Sequence, residues 1–387
     1  MKSVTRALVI VASCLAVSGC SLFERSASCA ARKIIAPDVL KIQSEKDTPS
    51  FCRYHRALAG LYAPYAIASL NAYIPPGLTA GTEALSCVDA VHKVRCPAGW
   101  KPDDEAKKSA GGLFMEAFTH DTTRLAFPNT MEYVIAFRGT EPTDLQDWRA
   151  NARWFLPFWR RTDQYPVARV TAVEWAARAC SMAKATGKRL RIVTTGHSLG
   201  GGLAQGAAYA ILRALPPAMT DEQLDGNSTA STEEVASQKV LADACAGIEP
   251  PIRVVSVAFD PSPVTGYGDG QPVRACENPR SMQCRLPIVV RVYESGEILA
   301  FLRRFLSWFY PVSLNVCEDR FNFGTGLPIT QHQMRRIASG LILTARDSGD
   351  QDLSAIFNQY CPATRAGEVL LCNTPMPPEL KCPEGDS

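Results

Sequence analysis

The most informative stretch of the sequence is Arg189-Leu-Arg-Ile-Val-Thr-Thr-Gly-His-Ser-Leu-Gly-Gly-Gly-Leu-Ala204, because an apolar run leads directly into a glycine-lined turn. Ser198 stands two residues after Gly196 and two before Gly200. This spacing is typical of a nucleophile elbow, a strained strand-to-helix turn that lifts a serine hydroxyl clear of the sheet. Glycines at these positions let the strand and the helix approach each other without a Cβ clash. The stretch therefore predicts acyl transfer through Ser198.

The sequence on either side of the turn favours this interpretation. A G-x-S-x-G pattern alone occurs often by chance, and the alternative is an incidental serine in a glycine-rich turn. Here the pattern follows an apolar strand and precedes an Ala/Gly-rich helix over residues 203–212. That context of strand, turn and helix is the one in which an elbow serine acts as a nucleophile.

Length and composition limit the remaining possibilities. The chain has 387 residues, 46% of them hydrophobic, which is enough for one large catalytic domain with insertions. Its formal net charge is +3, and it contains no dense run of lysine and arginine. We therefore expect no nucleic-acid partner.

The amino terminus reads as an export signal. Lys2 and Arg6 precede an apolar run over residues 7–17, which is too short to span a bilayer. The run ends in Val17-Ser-Gly-Cys20, which resembles a bacterial lipobox. The resemblance implies removal of residues 1–19, acylation of Cys20 and, because Ser21 follows it, sorting to the outer membrane. The alternative is an ordinary signal peptide whose cleavage site happens to end in cysteine.

Acyl chains rather than charge would hold such a protein at the membrane. The chain has 41 basic and 38 acidic residues, and removing residues 1–19 takes away two basic residues and no acidic ones, leaving 39 against 38. A nearly neutral surface gives little attraction to anionic lipid. We expect a lipid-anchored protein of the bacterial cell envelope, with its periplasmic or surface orientation open.

Cysteine usage fits an exported protein. Of 14 cysteines, Cys14 would leave with the signal and Cys20 would carry lipid, so twelve remain, most of them expected in disulfides. No pair has C-x-x-C spacing and the five histidines are scattered, so we expect no metal site. Three close spacings suggest local bridges, with connectivity open: Cys87 with Cys96, Cys276 with Cys284, and Cys372 with Cys382.

Alternating apolar segments predict an α/β fold, a mostly parallel, doubly wound sheet with helices on both faces. The predicted catalytic domain spans residues 51–345, between a tether over 20–50 and a cysteine-containing tail over 346–387. Polar stretches over 79–109 and 216–247 are expected to be insertions, the second with one short helix. The predicted helices cover 54–73, 166–185, 203–212 and 331–343, and the predicted strands cover 112–118, 133–137, 189–197, 252–259 and 288–293.

An oxyanion site should lie beside the serine. A tetrahedral intermediate needs one N–H donor from the residue after the serine and one from an earlier strand end, which makes Leu199 and Thr140 the candidates. Three motifs and a later histidine occur in order: Tyr133-Val-Ile-Ala-Phe-Arg-Gly-Thr140, Asp147-Trp148 and Thr195-Gly-His-Ser-Leu-Gly-Gly201. Together they resemble the class 3 lipases, the fungal-type branch of the α/β-hydrolases, over about residues 50–345. The resemblance implies that Thr140 donates its N–H to the oxyanion and that a mobile lid lies at or next to Asp147.

The general base is identified by chain order. α/β-Hydrolases place serine, acid and histidine in that order, and His332 is the only histidine after Ser198. His197 is tied to the elbow itself. The alternative for His332 is a surface or helix-capping histidine.

Three carboxylates compete to orient His332, each of them near a predicted strand end. Class 3 lipases resemble this chain in an arginine matched by Arg291, with their aspartate six residues later, where this chain has Glu297. Asp260 ends the preceding strand, and Glu294 lies where the next strand is still extended. We rank Glu297 first, Asp260 second and Glu294 third.

The sequence leaves two interpretations for two aromatic segments. Residues 148–159 and 298–310 are rich in Trp and Phe and lie beside the predicted site in sequence. They either contact lipid or fill the core.

The sequence as a whole predicts a membrane-anchored serine hydrolase of carboxylic esters, acting on acyl lipids through an acyl-enzyme on Ser198 without a cofactor. One alternative is a catalytically silent envelope lipoprotein that uses the hydrolase fold for binding. Another is hydrolysis of a different acyl bond, such as a peptide or a polymer ester. No protein partner can be named.

Overall fold

The computed structural model describes twelve parts of the chain. These are residues 51–73, 99–110, 113–122, 129–139, 164–215, 232–248, 252–262, 287–294, 316–321, 323, 332 and 334–346. The predicted signal and tether lie outside them, as does the predicted tail beyond Arg346, which ends the last helix. The two aromatic segments, the three suggested cysteine pairs and the segment expected to be a lid also lie outside them. Thr140 and Glu297 also lie outside the described residues.

The described elements are five helices and seven strands. In chain order they are α1 (Phe51–Asn71), β1 (Trp100–Ala110), β2 (Leu113–Thr122), β3 (Thr130–Phe137), α2 (Gln164–Thr186), β4 (Arg189–His197), α3 (Leu199–Ala214), α4 (Thr232–Cys245), β5 (Arg253–Phe259), β6 (Ile288–Glu294), β7 (Val316–Phe321) and α5 (Met334–Arg346).

All seven strands form one sheet, in the order β1 to β7. β1, β2 and β3 pair antiparallel, whereas β3 to β7 are parallel, which confirms an α/β fold with a mostly parallel sheet. Gly196 of β4 is in register with Phe137 of β3 and with Ala258 of β5. The carboxyl ends of these three strands therefore meet at one edge, where parallel sheets collect their functional groups.

Helices cover both faces of the sheet, as predicted. One apolar cluster packs α2, α3 and α4 against one face, and a second packs α1 and α5 against the other. The winding differs from the doubly wound expectation, because the order of the described strands never reverses. Right-handed crossovers that always advance in one direction place their helices on one face. The opposite face is therefore covered by helices from the beginning and end of the described chain.

The expectation of a polar excursion over residues 79–109 is wrong at its end, because Trp100–Ala110 forms the edge strand β1. This strand contains Pro102 and several charged residues, and its register shifts between Pro102 and Lys107. Prolines, charges and bulges are what natural sheets place on their edges to prevent pairing with another chain. The polar composition reflects an edge position rather than an insertion. Strand β7, Val316–Phe321, was not predicted at all.

The second polar stretch contains a helix, as expected, and a disulfide fixes that helix to the fold. Cys245 at the end of α4 is bonded to Cys180 of α2, 65 residues earlier, and both side chains are buried. The bridge is long-range, unlike the local ones that the cysteine spacings suggest. Cys317 of β7 is disulfide-bonded as well.

Replacing both Cys180 and Cys245 with alanine should lower the free energy of unfolding by about 2–4 kcal/mol, because a 65-residue loop is no longer closed in the unfolded chain. Urea unfolding of the parent and the double variant, without reductant, measures the difference. Non-reducing peptide mass mapping of the parent supplies the control by showing the bridged peptide. Identical unfolding curves would contradict a stabilising role for this bridge.

Candidate active site

Ser198 occupies a strained turn between β4 and α3. Strand β4 ends at His197, helix α3 begins at Leu199, and Ser198 between them has φ 56° and ψ −121°. A positive φ is uncommon for a residue with a Cβ and is found at functional turns that the surrounding structure holds in place. The sequence prediction of an elbow at this serine agrees with this geometry.

The flanking glycines are required by close backbone contacts. A Cβ on Gly196 would lie 2.4 Å from the carbonyl oxygen of Gly200, and one on Gly200 would lie 2.3 Å from that of Phe137. A Cβ on Gly201 would lie 2.8 Å from the ring of Pro261. Any side chain at these positions would push the elbow away from β3 or from the loop after β5.

The loop after β5 is bonded to Ser198 on both sides of Asp260. The N–H of Ser198 donates to the carbonyl of Phe259 at 3.0 Å, and the N–H of Ser262 donates to the carbonyl of Ser198 at 2.9 Å. Asp260 itself donates its N–H to Val292 of β6 at 2.8 Å and has φ 37°. The position of this carboxylate is therefore fixed relative to the serine by the backbone.

Asp260 is the carboxylate that faces His332 among the described residues. Its Oδ2 lies 3.8 Å from Nδ1 of His332, and its Oδ1 accepts the N–H of Glu294 at 2.9 Å. Asp260 is fully buried and His332 is 4% exposed, so water screens their interaction little. The 3.8 Å separation exceeds a hydrogen bond, but catalytic contacts are often long in a free enzyme and shorten when substrate binds.

Of the two other candidate carboxylates, one is in an ion pair and one lies outside the described residues. Glu294, ranked third from the sequence, is fully buried and its Oε1 lies 2.9 Å from Nε of Arg336 on α5. This ion pair uses the carboxylate to hold β6 to α5. Glu297, ranked first, lies outside the described residues, so its rank stays a prediction.

One of the two predicted oxyanion donors lies among the described residues. Leu199 begins α3, so its N–H is one of the first-turn donors that helix geometry leaves without an intrahelical acceptor. Thr140 is not described, but its neighbour Gly139 is: a Cβ there would lie 2.3 Å from the carbonyl oxygen of His197 and 3.4 Å from the nitrogen of Gly200. The end of β3 thus runs directly past the elbow, and the role of Thr140 stays a prediction.

His197 and Tyr73 complete the described site, and sequence reasoning missed both. The ring of His197 lies 4.7 Å from that of His332, centroid to centroid, and its Nδ1 is 2.8 Å from the hydroxyl of Tyr73. Tyr73 lies two residues after α1, at the end of the helix predicted over 54–73, and the sequence gives it no role in the site. His197 was set aside as a base because it is tied to the elbow itself. No local pattern links two positions 124 residues apart, so only the fold reveals this contact.

The described residues contain one group of side chains close enough to consider for a metal ion, His197, Asp260 and His332. Zinc holds nitrogen and oxygen ligands at about 2.0–2.2 Å, which places neighbouring ligand atoms roughly 3.4 Å apart. The 3.8 Å between His332 and Asp260 exceeds this spacing, and the three ligand atoms lie within 4.8 Å of one another. The arrangement suits a base and its orienting acid better than a metal centre.

Comparison with known proteins gives a family match over part of the chain and a similar solved structure. Residues 89–215 match the Tle-like phospholipase domain, a range that contains β1 to α3 and therefore the elbow. The crystal structure of M37 lipase is similar to 76% of this chain and 96% of that chain, with 14% sequence identity and a TM-score of 0.33. No curated protein matches the chain. The phospholipase match supports a lipid ester hydrolase of the lipase or phospholipase kind, and it does not single out the class 3 lipases.

Among the described residues, no helix combines the length and the apolarity that crossing a membrane requires.

Proposed function

We propose that this protein is a serine carboxylester hydrolase that acts on acyl lipids, with phospholipids as the substrate class. The observation that carries the proposal is the strained elbow at Ser198, whose backbone is bonded on both sides of Asp260 while Asp260 faces His332. The match of residues 89–215 to a phospholipase domain supports the choice of substrate. The likeness to class 3 lipases remains part of the proposal.

The chemistry follows the roles of a Ser-His-Asp triad. The Ser198 hydroxyl attacks the ester carbonyl while His332 takes its proton. The C–O bond to the leaving alcohol then breaks, and His332 returns the proton to that alcohol. Water attacks the acyl-enzyme by the same path in reverse and releases the fatty acid. Asp260 stabilises the imidazolium in both halves of the cycle, and the N–H groups of Leu199 and Thr140 stabilise the oxyanion.

A panel of p-nitrophenyl esters and phospholipids tests the proposal on soluble protein that lacks residues 1–20. We expect turnover of esters and release of fatty acid from phospholipid vesicles, together with covalent labelling by a fluorophosphonate probe. Labelling would rule out the silent-lipoprotein alternative, because the probe reacts only with an activated serine. An absence of both labelling and turnover would overturn the proposal.

The same proposal includes attachment to the bacterial envelope through Cys20. The lipobox-like sequence supports it, and two acyl signals on one residue are enough for stable anchoring. A hydrolase tethered in this way meets its substrate in the plane of the membrane.

Cys20→Ser should move the protein from the membrane fraction to the soluble fraction and remove the mass of the acyl groups. Fractionation and intact mass spectrometry measure both effects. Cys29→Ser is the matched control, because it removes a nearby cysteine and leaves the lipobox unchanged. If the Cys20→Ser protein keeps the parent's fractionation and mass, some other feature holds it at the membrane.

A further inference from the structure

We propose that Tyr73 and His197 form a positioning pair for the catalytic histidine. In this pair the Tyr73 hydroxyl fixes the plane of the His197 ring, and that ring packs against the imidazole of His332. The inference rests on the proposed function, since it concerns how His332 is held while it transfers protons. Neither residue of the pair touches the reacting atoms in this role.

Successive contacts join Tyr73, just after α1, to His197 and His197 to His332. Nδ1 of His197 is 2.8 Å from the hydroxyl of Tyr73, and that hydroxyl also lies 3.4 Å from the carbonyl oxygen of His197. The His197 ring then lies 4.7 Å from the ring of His332, at an interplanar angle of 37°. His197 is 2% exposed and His332 4% exposed, so both rings are enclosed by protein.

This geometry restricts the motion that would most harm catalysis. His332 must keep Nδ1 toward Asp260 while its other nitrogen serves Ser198, and rotation of the ring would break both alignments at once. A buried ring at 4.7 Å blocks rotation toward its own side. The bond to Tyr73 keeps His197 in that place whichever of the two groups donates the proton, since either tautomer fixes the same ring plane.

The pair also lies against the strand that leads to the oxyanion site. A Cβ on Gly139 would lie 2.3 Å from the Tyr73 hydroxyl and 2.3 Å from the carbonyl oxygen of His197. Gly139 directly precedes Thr140, the second predicted oxyanion donor. Tyr73 is therefore packed between His197 and the end of β3. This packing brings its side chain to the site.

Four variants test the pair through kcat and KM on a soluble p-nitrophenyl ester. Tyr73→Phe keeps the ring and removes the hydroxyl, so it should lower kcat on the order of tenfold, because small misplacements of catalytic groups have effects of that size or larger. His197→Phe keeps a flat aromatic ring but removes Nδ1, so it should lower kcat to a similar extent. Combining the two should be no worse than either change alone. His197→Ala removes the ring altogether and should lower kcat the most, on the order of a hundredfold. KM should stay within about twofold throughout, since the pair does not contact substrate.

Tyr65→Phe is the matched control, on helix α1, which ends two residues before Tyr73. Its hydroxyl donates to the buried Glu132 at 2.9 Å, and Glu132 lies five residues before Phe137, about 17 Å from the carboxyl end of β3. This change should lower the melting temperature and leave kcat unaltered. The contrast separates loss of a buried hydroxyl from loss of the pair.

A second measurement does not depend on turnover. Ring-nitrogen NMR of protein labelled at its five histidines should show the His332 signals shifting in Tyr73→Phe and His197→Phe but not in Tyr65→Phe. If the parent hydrolyses no ester and no probe labels Ser198, the proposed function fails while the NMR result still judges the pair. Unchanged His332 signals in Tyr73→Phe and His197→Phe, or a kcat for His197→Ala within twofold of the parent, would overturn the inference.

Discussion

Ser198→Ala is expected to reduce ester turnover by a factor on the order of a million while the protein stays folded, as loss of a triad serine does elsewhere. The fold should survive because the serine hydroxyl makes no capping hydrogen bond to α3. Alanine also has the same Cβ as serine, so the strain at φ 56° is unchanged. The backbone bonds to Phe259 and Ser262 remain, since the substitution leaves them untouched.

Initial rates on a short-chain ester, together with thermal unfolding, measure this effect. Ser181→Ala is the control, because the hydroxyl of that exposed serine bonds only its own helix at Ala177. His332→Ala should do nearly as much harm as Ser198→Ala, and the double variant should be no slower than the serine variant, because the two residues act as one unit. Activity of Ser198→Ala within tenfold of the parent would remove this serine from the mechanism.

The elbow could be predicted because its causes are local. A strained turn, the glycines that permit it and the strand before it all fall within one short stretch, so the sequence carries the whole signal. His332 was predicted as the base for a different reason, by elimination, because the chain has five histidines and only one follows the serine. The structure places Nδ1 of that histidine 3.8 Å from Oδ2 of Asp260, and its role as the base stays a prediction.

The sequence ranked three carboxylates, Glu297, Asp260 and Glu294, because all three lie near predicted strand ends. Asp260 and Glu294 are both fully buried in the structure, and Glu297 lies outside the described residues. What separates Asp260 from Glu294 in the structure is a residue far along the chain. Arg336, 42 positions after Glu294, takes that carboxylate into an ion pair and leaves Asp260 to face the base. Hydrophobic periodicity carries no information on such a pairing.

Parts of the sheet were missed for a related reason. β1 is a charged edge strand and β7 is the short polar stretch VCEDRF, so neither has the apolar run by which buried strands are found. The order of the strands was also beyond the sequence, since periodicity identifies elements but not their neighbours. The contact between Tyr73 and His197 depends on that order, because it joins a residue just after α1, a helix on one face, to the end of β4.

Asp260→Asn should lower turnover by about four orders of magnitude, as amide replacement of an orienting acid does in the best-studied case. The variant is well matched in shape. Asparagine tolerates a left-handed backbone such as φ 37°, and its side-chain oxygen can still accept the N–H of Glu294. What disappears is the negative charge 3.8 Å from Nδ1 of His332, so the imidazolium formed during acyl transfer is no longer stabilised.

Glu294→Gln separates this electrostatic effect from the loss of any buried carboxylate. It breaks the ion pair with Arg336 and should cost about 3–5 kcal/mol of unfolding free energy, because a largely buried guanidinium loses its charged partner. Its kcat should remain near that of the parent wherever the variant is folded. Asp260→Asn should therefore lower kcat and leave the free energy of unfolding near that of the parent. Glu294→Gln should lower the free energy of unfolding and leave kcat near that of the parent. Glu297→Gln completes the comparison, because a hundredfold loss there, with little loss in Asp260→Asn, would assign the acid to the loop after β6, as the sequence ranking has it.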